Sequence, residues 1–419
     1  MRILHFSDLH IGVENYGRID PHTGLSTRLG DFLAALDQVV EFALSRPVDL
    51  VLLAGDAYKG RDPSQTHQRE FAKRLARLSA AGIPAFLLVG NHDLPASATR
   101  ANAVEIFSTL QVPQVYVGDR LTTYVVATPA GPLQVLAVPW PRRSVLLSRD
   151  ETRGLSIEQV RLEVERRMTE AIQQQAQALP ADIPAILTGH ATVNGATVGT
   201  ERSMMLGQDH ILPISALQPP QVEYAALGHI HKHQVLRDSP GQAMVVYSGS
   251  LQRVDFSEEG DQKGFCVIEL DPAAPQGHRL KDFQFHPVQA RPFVTIDVRV
   301  PEAEADPTDY VLRAIARRDV TDAVVRVRVS LPAGAEAQFR EQPVREVLKP
   351  AHYIAAVSRE VAGERRTRLG AQVAQGLQPM QALDLYLQTR SVSPERREKM
   401  LRYARQLAEE LGEPVEGLG

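Results

Sequence analysis

Short apolar runs that stop abruptly at Asp, Asn or His constrain this chain more than any other feature. Eight runs read as strands: Arg2–Ser7, Val48–Ala54, Ile83–Val89, Leu133–Pro139, Ile183–Thr188, Tyr224–Leu227, Met244–Ser248 and Phe265–Leu270. Between the first two, Phe32, Leu33, Leu36, Val39, Val40 and Leu44 recur at helical spacing. Further helices are predicted over Ser64–Ala80, Ser97–Leu110 and Ile157–Gln177. Near-continuous apolar strands separated by helices need cover on both faces, which predicts an α/β fold. In such sheets the carboxyl ends of the strands share one edge, so side chains just past those ends converge.

Five segments occupy that position: Asp8-Leu9-His10, Gly55-Asp56, Gly90-Asn91-His92-Asp93, Gly189-His190 and Gly228-His229-Ile230-His231. Residues two apart in extended chain point the same way, so Asp8 with His10, and His229 with His231, can grip one site. Glycine before Asp56, Asn91, His190 and His229 permits a sharp turn at the strand end. Imidazole, carboxylate and amide without sulfur form a donor set that suits Mn²⁺, Fe²⁺ or Zn²⁺. Seven donors exceed the needs of one catalytic ion with an open position. Two ions about 3.5–4 Å apart, bridged by Asp56, would employ all seven. No one of the five pieces is diagnostic. Their joint occurrence in order, each at a strand end, is. The other histidines, His5, His22, His67, His210, His233, His278, His286 and His352, lie outside this pattern and read as structural.

The single cysteine, Cys266, sits in the apolar run Phe265–Ile268, which excludes an internal disulfide or a cysteine zinc cluster and predicts a buried thiol. No apolar run approaches the roughly 20 residues of a membrane span. The amino terminus lacks the layout of a secretion signal, so a cytoplasmic location is expected. A net charge of −4 gives no general affinity for nucleic acid, which would need a local patch, metals or a partner subunit.

Turn-rich Asp271–Gly277 marks the edge of the first core, and a domain over residues 1–280 is expected. A smaller α+β unit over 285–358 follows, with Val294, Ile296, Val298 and Val300 as one alternating strand and Val325, Val327 and Val329 as another. A charged linker over 359–375 leads to two closing helices within 376–412, near Pro379–Thr389 and Pro394–Leu411. The second has Ser393 as N-cap, Pro394 at its first position and Gly412 just past its end.

The pattern D-x-H, GD, GNH-[DE], H and GH-x-H resembles the calcineurin-like metallophosphoesterase superfamily, matched in full and in order from Asp8 to His231. That resemblance implies a sandwich of two mixed sheets flanked by helices. It places Asp8, His10 and His231 on one ion, Asn91, His190 and His229 on the second, and Asp56 between them. His92 matches the non-ligand histidine that protonates or stabilises the leaving oxygen. Within the superfamily, Met1–Gly12, Ala54–Tyr58 and Tyr247–Arg253 are similar to SbcD and Mre-type DNA repair nuclease subunits. This implies Mn²⁺-dependent 3′-to-5′ cutting of duplex ends and endonuclease action on single strands and hairpins. It also implies a capping unit that helps clamp DNA, closing helices that dock on an SbcC-type coiled-coil ATPase, and a homodimer. Phe71, Leu75, Leu78, Val104, Ile106 and Phe107 are candidates for the dimer face, though ordinary core explains them equally well.

One departure stands out: where these nucleases usually carry His or Asp, three residues after the bridging aspartate, this chain has Lys59. A lysine side chain cannot accept a hydrogen bond from His92. Lys59 and Arg61 are candidates for phosphate contact, and Asn15 and Tyr16 for DNA contact. The closing helices carry apolar stripes, Leu383, Tyr386 and Leu387 on one and Met400, Leu401, Ala404, Leu407 and Leu411 on the other. These cover either a partner or their own domain. No Walker-type phosphate loop occurs, so any ATP dependence must come from a partner. A small-molecule phosphodiesterase with the same ions and a scaffold without catalysis are the alternatives. Filled ligand positions and the presence of His92 count against the scaffold.

Overall fold

In the computed structural model, residues 1–95, 100–142, 146–147, 151, 154–199, 211–236, 243–361, 379–389 and 392–410 are described. The strands are β1 (Arg2–Phe6), β2 (Leu50–Leu53), β3 (Ala85–Leu88), β4 (Val115–Gly118), β5 (Thr122–Thr128), β6 (Gly131–Val138), β7 (Ala185–His190), β8 (Thr192–Val193) and β9 (Ile211–Leu212). They continue with β10 (Tyr224–Gly228), β11 (Gln234–Leu236), β12 (Met244–Tyr247), β13 (Gly264–Leu270), β14 (Leu280–Pro287), β15 (Phe293–Arg299), β16 (Val324–Leu331) and β17 (Tyr353–Val361). The helices are α1 (Thr27–Ser45), α2 (Gln65–Ala80), α3 (Glu105–Thr109), α4 (Ile157–Gln177), α5 (Pro307–Ile315), α6 (Glu341–Val347), α7 (Pro379–Thr389) and α8 (Pro394–Glu410).

Among the described residues the strands build two six-stranded sheets, ordered β14-β13-β1-β2-β3-β4 and β11-β12-β10-β7-β6-β5. In each, parallel strands carry antiparallel additions: β13 and β14 on one, β11 and β5 on the other. Side-chain alternation assigns the layers. Ile3, Leu50, Leu52, Phe86 and Leu88 meet Leu133, Val135, Ile186, Ala226 and Val246 of the other sheet in a buried interior. Leu4, Phe6, Val51, Leu53 and Leu87 turn outward to Leu36, Val39, Val40, Phe71 and Leu75 of α1 and α2. On the far side Leu136, Leu187 and Leu227 pack against Val160, Val164, Met168 and Ile172 of α4. The result is the expected helix-flanked sandwich of two mixed sheets. Local sequence starts the helices: Ser26, Ser64 and Ser156 accept amide hydrogens at their N-caps, and Gln159 completes a capping box on α4.

Several expectations need correction. Asp271–Gly277 is not the edge of the sheet but the turn between β13 and β14, so the first sheet runs on to Pro287, past the expected boundary at 280. β14 was missed because LKDFQFHP is an edge strand, only half-buried, with polar residues that break the apolar signal. The helix expected over Ser97–Leu110 is confined to Glu105–Thr109 among the described residues, with Ser97 outside them. Asn102 instead caps a turn by accepting from the Val104 amide. β17 extends to Val361, beyond the expected linker start at 359; the remainder of that linker lies outside the described residues.

β15, β16 and β17 form a parallel three-stranded sheet with α5 and α6, closed over its own core of Ile296, Val298, Val311, Val325, Val327, Val329 and Val344. Asp31 on α1 ties this unit to the sandwich by accepting from Arg291 at 2.5 and 2.6 Å and from buried Arg28 at 2.8 Å. α7 and α8 are joined by Asp384, which takes two hydrogen bonds from Arg397 at 2.6 and 3.0 Å. The Gly412 cap and Leu411 lie outside the described residues. Of the dimer candidates, Phe71, Leu75, Leu78, Val104 and Phe107 are buried in the chain's own core, and only Ile106 is exposed. Core packing therefore accounts for all but Ile106.

Candidate metal centre

β1, β2, β3, β7 and β10 end along one edge, and the five polar segments follow them. The turns there are tight enough to force unusual backbone. Asp8, His10, Asp56 and His229 all have positive φ, from 46° to 97°, a region that non-glycine residues rarely enter and that functional sites tolerate. Gly55 also turns at φ 97°. Gly90 and Gly228 serve differently from the expectation: a Cβ would stand 2.1 Å from Asp56 Oδ1 or from the Ala54 carbonyl. These two glycines allow close approach rather than a turn.

All eight expected residues meet. His10 Nε2 is 2.9 Å from His231 Nε2 and 3.8 Å from Asp56 Oδ2. His190 Nε2 is 3.3 Å from Asp56 Oδ2 and 2.9 Å from Asn91 Oδ1, and His229 Nδ1 lies 3.2 Å from the same amide oxygen. Donor atoms of Asp8, His10 and His231 lie within 4.8 Å of one another, as do those of Asp8, Asp56 and His190, and of His10, Asp56 and His92. Asp8, Asp56, His10, His190 and His229 are buried.

The electrostatics fit a cation. His190 Nδ1 donates to the Ala54 carbonyl at 2.8 Å, which leaves Nε2 facing two acceptor oxygens, from Asp56 and Asn91. A lone pair aimed at acceptors is repulsive unless a proton or a metal ion lies between them. Accordingly, burial works against the charged imidazole, yet Asp56 holds His190 up at about 9. Burial also opposes the charge on Asp56, but His190 and the other imidazoles keep its carboxyl below the usual range. Burial pushes Asp8 up and His10 and His229 well down, so these imidazoles present lone pairs. A buried set of imidazole, carboxylate and amide donors without sulfur can hold divalent ions of the borderline class.

His92 is partly exposed beside this cluster, its ring 4.9 Å from that of His10. Its Nδ1 donates to the main-chain carbonyl of Lys59 at 2.7 Å. The position that breaks the expected pattern thus still orients His92, through backbone rather than side chain. The Lys59 and Arg61 side chains are exposed, as is Asn15. Tyr16 is not available for DNA: its ring packs edge-on against Phe256, Phe293 and Tyr353 between the sandwich and the three-stranded unit.

Some contributors escaped the sequence pattern. Buried Asp93 accepts amide hydrogens from Asp56 at 3.0 Å, Gly90 at 3.1 Å, and Ala57 and Tyr58 at 3.3 Å, stapling two of the turns together. Its place after Asn91-His92 was the available signal. Ser7 donates to Asp8 Oδ2 at 2.6 Å. Trp140 lies against His229 with ring centres 4.8 Å apart. Of the histidines read as structural, His5 is buried against Tyr224 and the Leu227 carbonyl, His233 stacks on Phe285 and His286 on Phe265; His210 lies outside the described residues. Cys266 is buried, and no described helix is long and apolar enough to cross a membrane.

Comparison with known proteins agrees with this geometry. The family model of the calcineurin-like phosphoesterase matches residues 1–233. The chain is similar to the SbcD subunit of the nuclease SbcCD from Rhodobacter capsulatus, 29% identical over 369 residues, covering 83% of this chain and 82% of that protein. The protein of the same name from Escherichia coli K12 is 29% identical over 271 residues, 63% of either chain, so less than two thirds of that relative is spanned. The one from Bacillus subtilis is 25% identical over 285 residues, 65% of this chain and 67% of its own. Matched over more than half of its length, with every strand-end segment inside the matched stretch, the chain belongs to the calcineurin-like phosphoesterase family.

Proposed function

We propose that this protein is a two-metal DNA nuclease, the nuclease subunit of an SbcCD-type complex, with Mn²⁺ as the working ion. The observation that carries the reading is the convergence of Asp8, His10, Asp56, Asn91, His190, His229 and His231 on one buried cluster beside His92. In this reading Asp8, His10 and His231 hold one ion, Asn91, His190 and His229 the other, and Asp56 both. When bound, a pair of divalent ions supplies charge to neutralise the phosphate and acidifies water. The chain's own part is to hold the donors rigid, exclude bulk water and move a proton. Because Lys59 fixes the proton on His92 Nδ1, the imidazolium form of His92 offers Nε2–H to the departing sugar oxygen.

Nucleic acid as substrate is supported by a cleft of about 620 Å³ that reaches Trp140 beside His229. Arg100, Arg120 and Arg142 line it. Such a local basic lining offsets the chain's overall negative charge where phosphates would lie. The names of its relatives, over up to 83% of this chain, support the same substrate and an ATPase partner. In this scheme residues 1–280 with β14 form the nuclease domain, the 285–358 unit clamps DNA, and the pair within 376–412 docks on the ATPase.

The test is turnover of duplex, single-stranded and hairpin DNA beside a nucleotide and an aryl phosphate, with Mn²⁺ or Mg²⁺, with and without the ATPase. Mn²⁺-dependent cutting of DNA is expected. Hydrolysis of the small esters alone would instead establish a small-molecule phosphodiesterase. His92→Gln should keep both ions and lose about 10²–10⁴ in rate, and unchanged turnover at normal metal content would remove His92 from this role.

A further inference from the structure

Beyond the family-matched stretch, a buried charged network stands directly behind His231. Glu258, 3% exposed, accepts from His231 Nδ1 at 2.8 Å. Its other oxygen pairs with Lys263 Nζ at 2.7 Å and takes a hydrogen bond from Ser250 Oγ at 3.3 Å. Lys263, 2% exposed, also donates to Ser250 Oγ at 2.9 Å and to the His231 carbonyl at 3.0 Å. The Ser250 amide donates to that same carbonyl at 3.0 Å. Main chain and ring of His231 are thus held by one cluster.

A buried lysine–carboxylate pair is a poor way to gain stability, because desolvating two charges costs as much as their attraction returns, and apolar residues of similar volume often do better. Its presence beside a metal-site imidazole points to a different purpose. A carboxylate can only accept, so it keeps the proton on Nδ1 and the lone pair on Nε2, the nitrogen 2.9 Å from His10 Nε2. The turn bearing Glu258 is itself clamped from the other side. Phe256 packs on Phe293 and under Arg326, and Glu259 accepts from the Thr295 amide at 2.9 Å.

We propose that Glu258, braced by Lys263 and Ser250, is a positioning residue that sets the tautomer and ring orientation of His231 for divalent-metal binding. This explains the Tyr247–Arg253 run, whose Ser250 anchors the brace and whose Ser248 hydroxyl reaches Ser7, the residue that holds Asp8. The inference rests on the two-metal reading above.

Its test is Mn²⁺ titration of the full-length protein by calorimetry, with Tm of the metal-free form. Glu258→Gln and the double variant Glu258→Leu with Lys263→Met are compared with wild type. The double variant removes both charges and keeps the volume, so it guards against a simple failure to fold. In both variants one of two Mn²⁺ affinities should fall about 10–100-fold, the second should hold, and the metal-free Tm of the double variant should match wild type. Activity should return on raising Mn²⁺, with kcat near normal at saturation. Unchanged affinity at both sites overturns the proposal. So does loss of both sites together with a collapse of Tm, which would make the pair a prop for the fold. Wild-type protein that binds no Mn²⁺ would instead sink the metal-centre reading itself.

Discussion

Asp93 shows how much of the site depends on a residue that makes no chemical contribution of its own. Its carboxylate satisfies the amides of Asp56, Ala57, Tyr58 and Gly90, which the left-handed turn at Asp56 points inward with no strand partner. Asp93→Ala would leave those buried donors unpaired, each costing about 1–3 kcal/mol. A loss of at least about 3 kcal/mol in urea unfolding, with weakened metal binding, is expected; a loss below about 1 kcal/mol would refute the staple. His5 makes a prediction of opposite chemistry. Buried neutral, and pushed down by that burial from 6.5 to about 3, it refuses a proton that the unfolded chain accepts. Its contribution to stability is therefore complete above pH 6.5 and drains away as pH falls towards 3. By pH 5 the loss amounts to about 2 kcal/mol. Unfolding midpoints at pH 7 and pH 5 should differ less in His5→Gln than in wild type by that amount.

Strands and helices differ in how openly they announce themselves. α1, α2 and α4 were readable because an apolar stripe at helical spacing and a serine N-cap are local features. Interior strands were readable as unbroken apolar runs, whereas the edge strands β11 and β14 keep polar residues on the solvent side and were not. α7 and α8 show the reverse: readable as helices, their purpose lies outside the chain. Tyr386, Met400 and Tyr403 are exposed on them at 47%, 42% and 58%, while Leu387 is buried. Large apolar side chains left in water on a short helical pair suit a partner surface. Deleting the chain after residue 375 should leave Mn²⁺-dependent cleavage within about threefold of wild type and abolish co-elution with the ATPase. Retained co-elution would place the docking surface elsewhere.

Across the molecule, two sheets bring five strand ends to one edge, and a third, smaller sheet is fastened beside them. The fastening is concentrated at Asp31, which neutralises buried Arg28 and Arg291 together. Removing one partner of a buried ion pair typically costs about 3–5 kcal/mol. In Asp31→Ala, hydrogen exchange should accelerate across β15 and β16 while the six-stranded sheets keep their protection. Equal acceleration everywhere would mean that Asp31 supports the whole fold and not the junction.

The α/β class, the order of the first sheets' parallel strands and helices, and the identity of the strand-end donors followed from local pattern alone. Periodicity and the polar stop after each apolar run are short-range properties that the backbone's two extended and helical repeats translate directly. The partnerships behind those donors did not follow. Glu258 meets His231, Asp93 meets Asp56, the Lys59 carbonyl meets His92, and Tyr16 turns into an aromatic cluster, because strand crossovers carry those residues together across the fold. No local spacing encodes such a meeting; it is set by which strands pair and in what register, and packing of the whole chain decides that.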